Sequence, residues 1–142
     1  MMYARINLAK TNYSVMDNCR LLDNPNPVEL ERIYNEYCIY KRFKSVMPIF
    51  AEEYTADHTN VLGYYDEDKI VGFSLIHLYN NKNIEAVQFA WDYKKPGLRL
   101  GIESLKSECA YYKSQGYEYF YLGGADEYKS GIDGFEILGP RY

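Results

Sequence analysis

The spacing of apolar residues changes twice along this chain. Val28, Leu30, Ile33, Tyr34, Tyr37, Cys38 and Tyr40 recur at helical intervals. Asn24-Pro25-Asn26-Pro27 precedes them as a turn, with Asn26 suited to the N-cap and Pro27 to the first helical position. Lys41, Arg42 and Lys44 sit at the basic end of this helix, where they complement its dipole. Pro48 is read as opening a second short helix through Tyr54. From Val61 the period drops to two. Strands are expected at Val61–Tyr65, Lys69–Tyr79 and Ile84–Asp92, joined by Asp66-Glu67-Asp68 and Asn80–Asn83 turns. A helical period then returns, with Leu98, Ile102, Leu105, Cys109 and Tyr112 on one face. Arg99, Glu103, Lys106, Ser107 and Lys113 are placed elsewhere on that helix's surface, and Gly116 is its expected C-cap. Tyr117–Leu122 reads as a strand. A loop over Ala125–Gly134 leads to a last short strand near Phe135–Leu138, and Met2–Leu8 alternates weakly as a first strand.

A strand, turn and helix entering a parallel strand form a βαβ unit. The whole order predicts an α/β fold with a mixed, mostly antiparallel sheet and flanking helices. At 142 residues the chain is expected to form one domain over 1–142 with one core. A hydrophobic fraction of 47% argues against disorder. The 17 tyrosines can pack their rings while keeping hydroxyls wet or hydrogen-bonded, at a core edge or along a groove. A net charge of −4 argues against coating long nucleic acid, but leaves room for a local basic patch that holds one RNA end. Cys19, Cys38 and Cys109 are odd in number and lack zinc spacing, so a reducing, cytoplasmic setting without a metal is expected. Neither a signal peptide nor a membrane span is read.

The chemistry gathers between Gln88 and Gly124. Lys94-Lys95-Pro96-Gly97-Leu98-Arg99-Leu100-Gly101 puts two lysines and an arginine beside free N–H groups at a helix start. That combination suits a phosphate. The plainer reading is that Gly97 and Gly101 permit a tight turn and close packing, with solvated lysines. Gln88, Ala90 and Asp92 alternate onto one strand face. Asp92 also has a plain reading, as a turn-initiating residue at a strand end. Tyr117, Tyr119 and Tyr121 are expected on one face, as groove wall for a base or as core. Cys109 reads as core, His77 as a core or edge residue, and His58 lacks a partner at metal spacing.

The element order resembles the GNAT fold of acyltransferases. Within it, Val71–Gly124 is most similar to the aminoacyl-tRNA–protein transferases that carry arginine or leucine. The similarity rests on Val71-Gly72-Phe73, Trp91-Asp92-Tyr93, Leu100-Gly101-Ile102-Glu103-Ser104-Leu105, then Gly116 and Tyr121-Leu122-Gly123. The turn departs from the acetyl-CoA pattern Gln/Arg-x-x-Gly-x-Gly/Ala: counted from Gly97 it has Lys94 and Arg99, and counted from Gly101 it has Arg99 for the earlier glycine. The complete arginyl transferases also have a cysteine-rich N-terminal part not present in these residues, so a reduced catalytic domain is expected.

The resemblance implies transfer of an acyl or aminoacyl group from a phosphate-bearing carrier, aminoacyl-tRNA ahead of acyl-CoA, onto an amine acceptor. That amine belongs to a protein N-terminus or a small molecule, and the tRNA acceptor end is an implied partner. It implies binding by Lys94, Lys95, Gly97, Leu98, Arg99, Leu100 and Gly101. Gln88 lies on the strand whose backbone N–H polarises the carbonyl in such proteins. Asp92 would orient or deprotonate the amine, and Tyr128 would serve as general acid. The alternative is a non-catalytic binding or assembly module on the same fold.

Overall fold

The computed structural model describes residues 2–42, 49, 51–92, 100–122 and 127–140; for 2, 100, 127, 128 and 140 it describes the backbone alone. Helix α1 (Pro27–Lys41) starts as its sequence predicts. Asn26 Oδ1 accepts the Val28 N–H at 3.1 Å and Pro27 takes the first turn. Helix α2 (Leu100–Ser114) ends at Gly116, whose φ of 92° is a left-handed conformation. The Gly116 and Tyr117 N–H groups donate back to the Lys113 and Tyr112 carbonyls, which makes a Schellman cap.

Seven strands complete the fold: β1 (Met2–Asn7), β2 (Cys19–Leu21), β3 (Thr59–Asp66), β4 (Lys69–Leu78), β5 (Asn83–Trp91), β6 (Tyr119–Leu122) and β7 (Phe135–Pro140). They form one sheet in the order β2-β3-β4-β5-β6-β1-β7. Neighbours are antiparallel except β5 and β6, which run parallel because α2 carries the chain back across the sheet. The mixed, mostly antiparallel sheet is thus observed, with β5, α2 and β6 following one another at its centre.

Side chains alternate between the two sheet faces. One face packs Leu62, Tyr64, Ile76, Ile84, Phe120 and Ile6 against Leu105, Cys109 and Tyr112 of α2. The other packs Val61, Phe73, Leu75 and Ala90 against Leu30, Ile33, Tyr34 and Cys38 of α1. Glycine stands at position 63 for space, since a Cβ there would crowd Ile70, Leu22 and Tyr65.

Four features differ from expectation. Strand β2 was not anticipated: three residues are too few to show a period. The expected second helix is, in its described part, a 3-10 turn at Ala51–Tyr54. Ser107 is fully buried and accepts the Met16 N–H at 2.9 Å, so a polar residue occupies the helix's inner face because a loop needs an acceptor there. Tyr117 leaves the company of Tyr119 and Tyr121. It belongs to the cap of α2, and its ring packs edge-on against Tyr112 at 5.5 Å.

Candidate functional site

Strands β5 and β6 part company early. Among the described residues their ladder joins only Asn83, Ile84 and Glu85 to Tyr119, Phe120 and Tyr121. β5 then runs on to Trp91 with no strand facing it on that side among the described residues. The cause is local. Opposite Leu75 and Ile76 of β4, the β5 partners are Gln88 and Ala86, so Val87 is an extra, bulged residue. A bulge bends its strand and takes one residue's backbone groups out of the ladder.

A cavity of about 250 Å³ lies where the strands separate. Val87, Gln88 and Phe89 of β5 form one wall, and Gly101, Ser104, Leu105 and Glu108 of α2 another. Tyr37 of α1, Ser74 of β4, Leu122 of β6 and Lys129 close it. This volume is below the roughly 300–1,000 Å³ of sites that engulf a drug-sized ligand. It suits one acyl or aminoacyl group, with the bulk of a carrier outside.

Glu108 is the residue that sequence reasoning missed. Its side chain is only 4% exposed at the cavity wall. Ser74 Oγ donates to Glu108 Oε2 at 2.6 Å, and the Tyr64 hydroxyl donates to the same oxygen. Burial pushes the Glu108 carboxyl up to about 7, against the two hydroxyl hydrogen bonds, which favour the charged form. Burial also holds the Tyr64 hydroxyl well above its ordinary range, with the Glu108 charge adding to the effect. A signal was present in the sequence: Ser104, Glu108 and Tyr112 repeat every four residues beside the apolar stripe. A glutamate at such a position is more often solvated, which is why the pattern alone did not single it out.

Of the residues expected to act, Gln88 and Gly101 line the cavity together. A Cβ built on Gly101 meets nothing within 4 Å among the described residues, so close packing against those does not require glycine there. Asp92 lies at the end of β5 with its carboxylate 2% exposed, outside the cavity wall. Its N–H donates to the Val71 carbonyl at 2.9 Å, and its Oδ2 is 3.9 Å from Arg32 Nη1 of α1. Arg32 is shared with Glu29 at 2.7 Å and Glu36 at 3.3 Å. Leu100 opens α2, but its side chain lies outside the described residues, as do Lys94, Lys95, Gly97, Leu98 and Arg99 altogether. Tyr128 falls in a 3-10 turn (Glu127–Gly131), again with its side chain outside that description. Among the described residues no three acidic, histidine or cysteine side chains could hold a metal ion together.

A family model described as arginine-tRNA-protein transferase, C terminus, matches residues 16–125. The chain belongs to that family. The match takes in the parting of β5 and β6 and all of α2, while β1 and β7 lie outside it. Comparison with curated proteins gives no match. Among solved structures, L-PGS from Bacillus licheniformis superposes with a TM-score of 0.65 at 19% identity, over 87% of this chain and 46% of its own. A protein of Novosphingobium aromaticivorans assigned to the GNAT family of acetyltransferases gives 0.68 at 13% identity, over 97% and 60%. N-myristoyltransferase of Saccharomyces cerevisiae with bound myristoyl-CoA gives 0.60 at 14% identity, over 85% and 41%. At these identities the likeness is one of fold, and that fold is the GNAT fold. The chain spans less than two thirds of each of these three proteins. Among the described residues no helix is long and apolar enough to cross a membrane.

Proposed function

We propose that this member of the arginine-tRNA-protein transferase family, acting as one GNAT-like unit, moves an aminoacyl group from aminoacyl-tRNA onto an amine. The cavity between the parted strands is where the carbonyl and the amine meet. The observation that carries the proposal is the bulge at Val87, which opens a space at the end of a βαβ unit in a chain of this family. An unladdered backbone N–H beside Gln88 supplies a donor for the oxyanion that develops as the amine attacks. The Gln88 side chain flanks it, with its amide nitrogen donating to the Phe89 carbonyl at 2.7 Å.

Lys94, Lys95 and Arg99, with N–H groups from Gly97 to Gly101, are assigned to the carrier's phosphates at the start of α2. Asp92 is assigned a positioning part: its carboxylate faces Arg32 and fixes the end of β5 against α1, just before that turn. Tyr128 is assigned to protonate the leaving oxygen. Acyl-CoA is the second carrier. The glycine pattern that would favour it is broken at Lys94 and Arg99, and the cavity has room for an acyl group of either origin.

The test supplies the protein with tRNA charged with labelled arginine or leucine, and in parallel with labelled acetyl-CoA, plus a peptide with a free N-terminus. Label is expected to pass from tRNA to peptide, and Lys95→Ala to slow it. A protein that uses neither carrier and is thermally stabilised by neither is a binding module instead.

A further inference from the structure

We propose that Glu108 is the proton acceptor for the attacking amine, a role that rests on the transfer reading above. The carboxylate is built for this by position. It lies on the α2 wall of the cavity, across from Gln88 on β5. Both hydroxyls that hold it, Ser74 from β4 and Tyr64 from β3, donate to Oε2. Oε1 is left without a hydrogen-bond donor among the described residues, at a cavity that takes the amine. Tyr64 is itself tied to α2 through the Ser104 carbonyl at 3.3 Å, so the holder does not swing with the substrate.

The other titratable groups around it do not compete. Tyr64 from β3, Cys19 from β2, and Cys109 and Tyr112 from its own helix are all pushed up by burial and stay uncharged near neutrality. β4 and β5 present Ser74 and Gln88, which do not titrate. Lys129 lines the same cavity.

The step balances without a co-reactant. The acceptor's ammonium gives one proton to Glu108 Oε1 and becomes an amine. Its lone pair attacks the ester carbonyl carbon. The C–N bond forms as the C–O bond to the tRNA ribose breaks. The oxygen leaves with that electron pair and is protonated by the general acid assigned above, which recovers its proton from the same nitrogen. Glu108 then returns its proton to water. A peptide α-amino group titrates at roughly 7.7–8.0, so most of it is protonated at neutral pH and needs such an acceptor. A base whose own midpoint lies near the working pH transfers protons most effectively, and burial holds the Glu108 carboxyl there, at about 7.

The experiment compares two acceptors with aminoacyl-tRNA as donor. One is a peptide N-terminus. The other is hydroxylamine, a weakly basic nucleophile already neutral at the assay pH. Glu108→Gln is expected to slow transfer to the peptide by roughly 10²–10⁴-fold and transfer to hydroxylamine by less than tenfold. Equal losses toward both overturn the assignment, since a carboxyl that only ties α2 to β3 and β4 would not distinguish them. A wild-type protein inert toward both acceptors overturns the transfer reading, and this role with it. Tyr64→Phe removes one donor to the carboxylate and leaves the group in place. It is expected to move the midpoint of the pH–rate profile upward, and an unmoved midpoint also overturns the assignment.

Discussion

Replacing Glu108 with glutamine removes a calculable pH dependence from the stability of this protein. Two effects act on the carboxyl in the folded state. Burial favours its neutral form, while hydrogen bonds from Ser74 and Tyr64 favour the carboxylate, and burial wins. The folded value of about 7 stands against an ordinary 4.5 in the unfolded chain. Between those pH values the folded protein holds a proton that the unfolded chain has already lost. Stability is therefore full below about pH 4.5 and falls as pH rises through about 7. Two and a half pH units at about 1.36 kcal/mol each amount to about 3 kcal/mol. Glutamine cannot titrate, and its amide oxygen accepts from the same two hydroxyls. The variant therefore gains about 3 kcal/mol on the wild type between pH 4.5 and 8.5, while other ionisations cancel in the difference. Urea unfolding followed by circular dichroism at half-unit pH steps reads this directly. A stability difference that stays flat with pH would show that the buried carboxyl does not hold its proton in this way. So would a wild-type advantage that grows with pH, because it would mean that the hydroxyls outweigh burial and the carboxylate is the favoured form.

Two further substitutions probe the frame around the cavity. Gly101→Ala places a methyl in open space on the first turn of α2, so it is expected to raise stability by about 0.4–1 kcal/mol in thermal unfolding while narrowing the cavity and slowing transfer. A destabilised variant would show that the glycine is needed for the backbone after all. Gly116→Ala meets no neighbour either, but must adopt a φ of 92°, so it is expected to cost about 1–2 kcal/mol in urea unfolding, with transfer unaffected. A variant as stable as the wild type would refute the left-handed cap.

Local spacing and capping chemistry specified the main elements and their order, β2 and the 3-10 turn at Ala51–Tyr54 excepted. Asn26 and Pro27 start a helix because one side-chain oxygen and one missing N–H answer the needs of a helix N-terminus. Gly116 ends one because it alone lacks the Cβ that a left-handed residue would clash with. The two-residue period between residues 61 and 91 could bury an apolar face only as strands, so the meander followed. Cys38, Cys109 and much of the apolar core were legible for the same reason.

Which strands are neighbours, and what stands at the cavity, follow from packing between distant segments. A period of two does not say where a strand lies in a sheet, and β1 sits between β6 and β7, far from the strand that follows it in sequence. Nothing in Ala86-Val87-Gln88 marks Val87 as the extra residue. It becomes a bulge only when Gln88 pairs with Leu75 and Ala86 with Ile76. Asp92 read as a cleft residue because the sequence shows its strand face but not the helix over it. Arg32 arrives from 60 positions earlier and faces its carboxylate. Glu108 is the sharpest case. A glutamate on a helix is ordinary until a tyrosine from β3 and a serine from β4 close over it, and contacts across 44 and 34 residues leave no trace in local spacing.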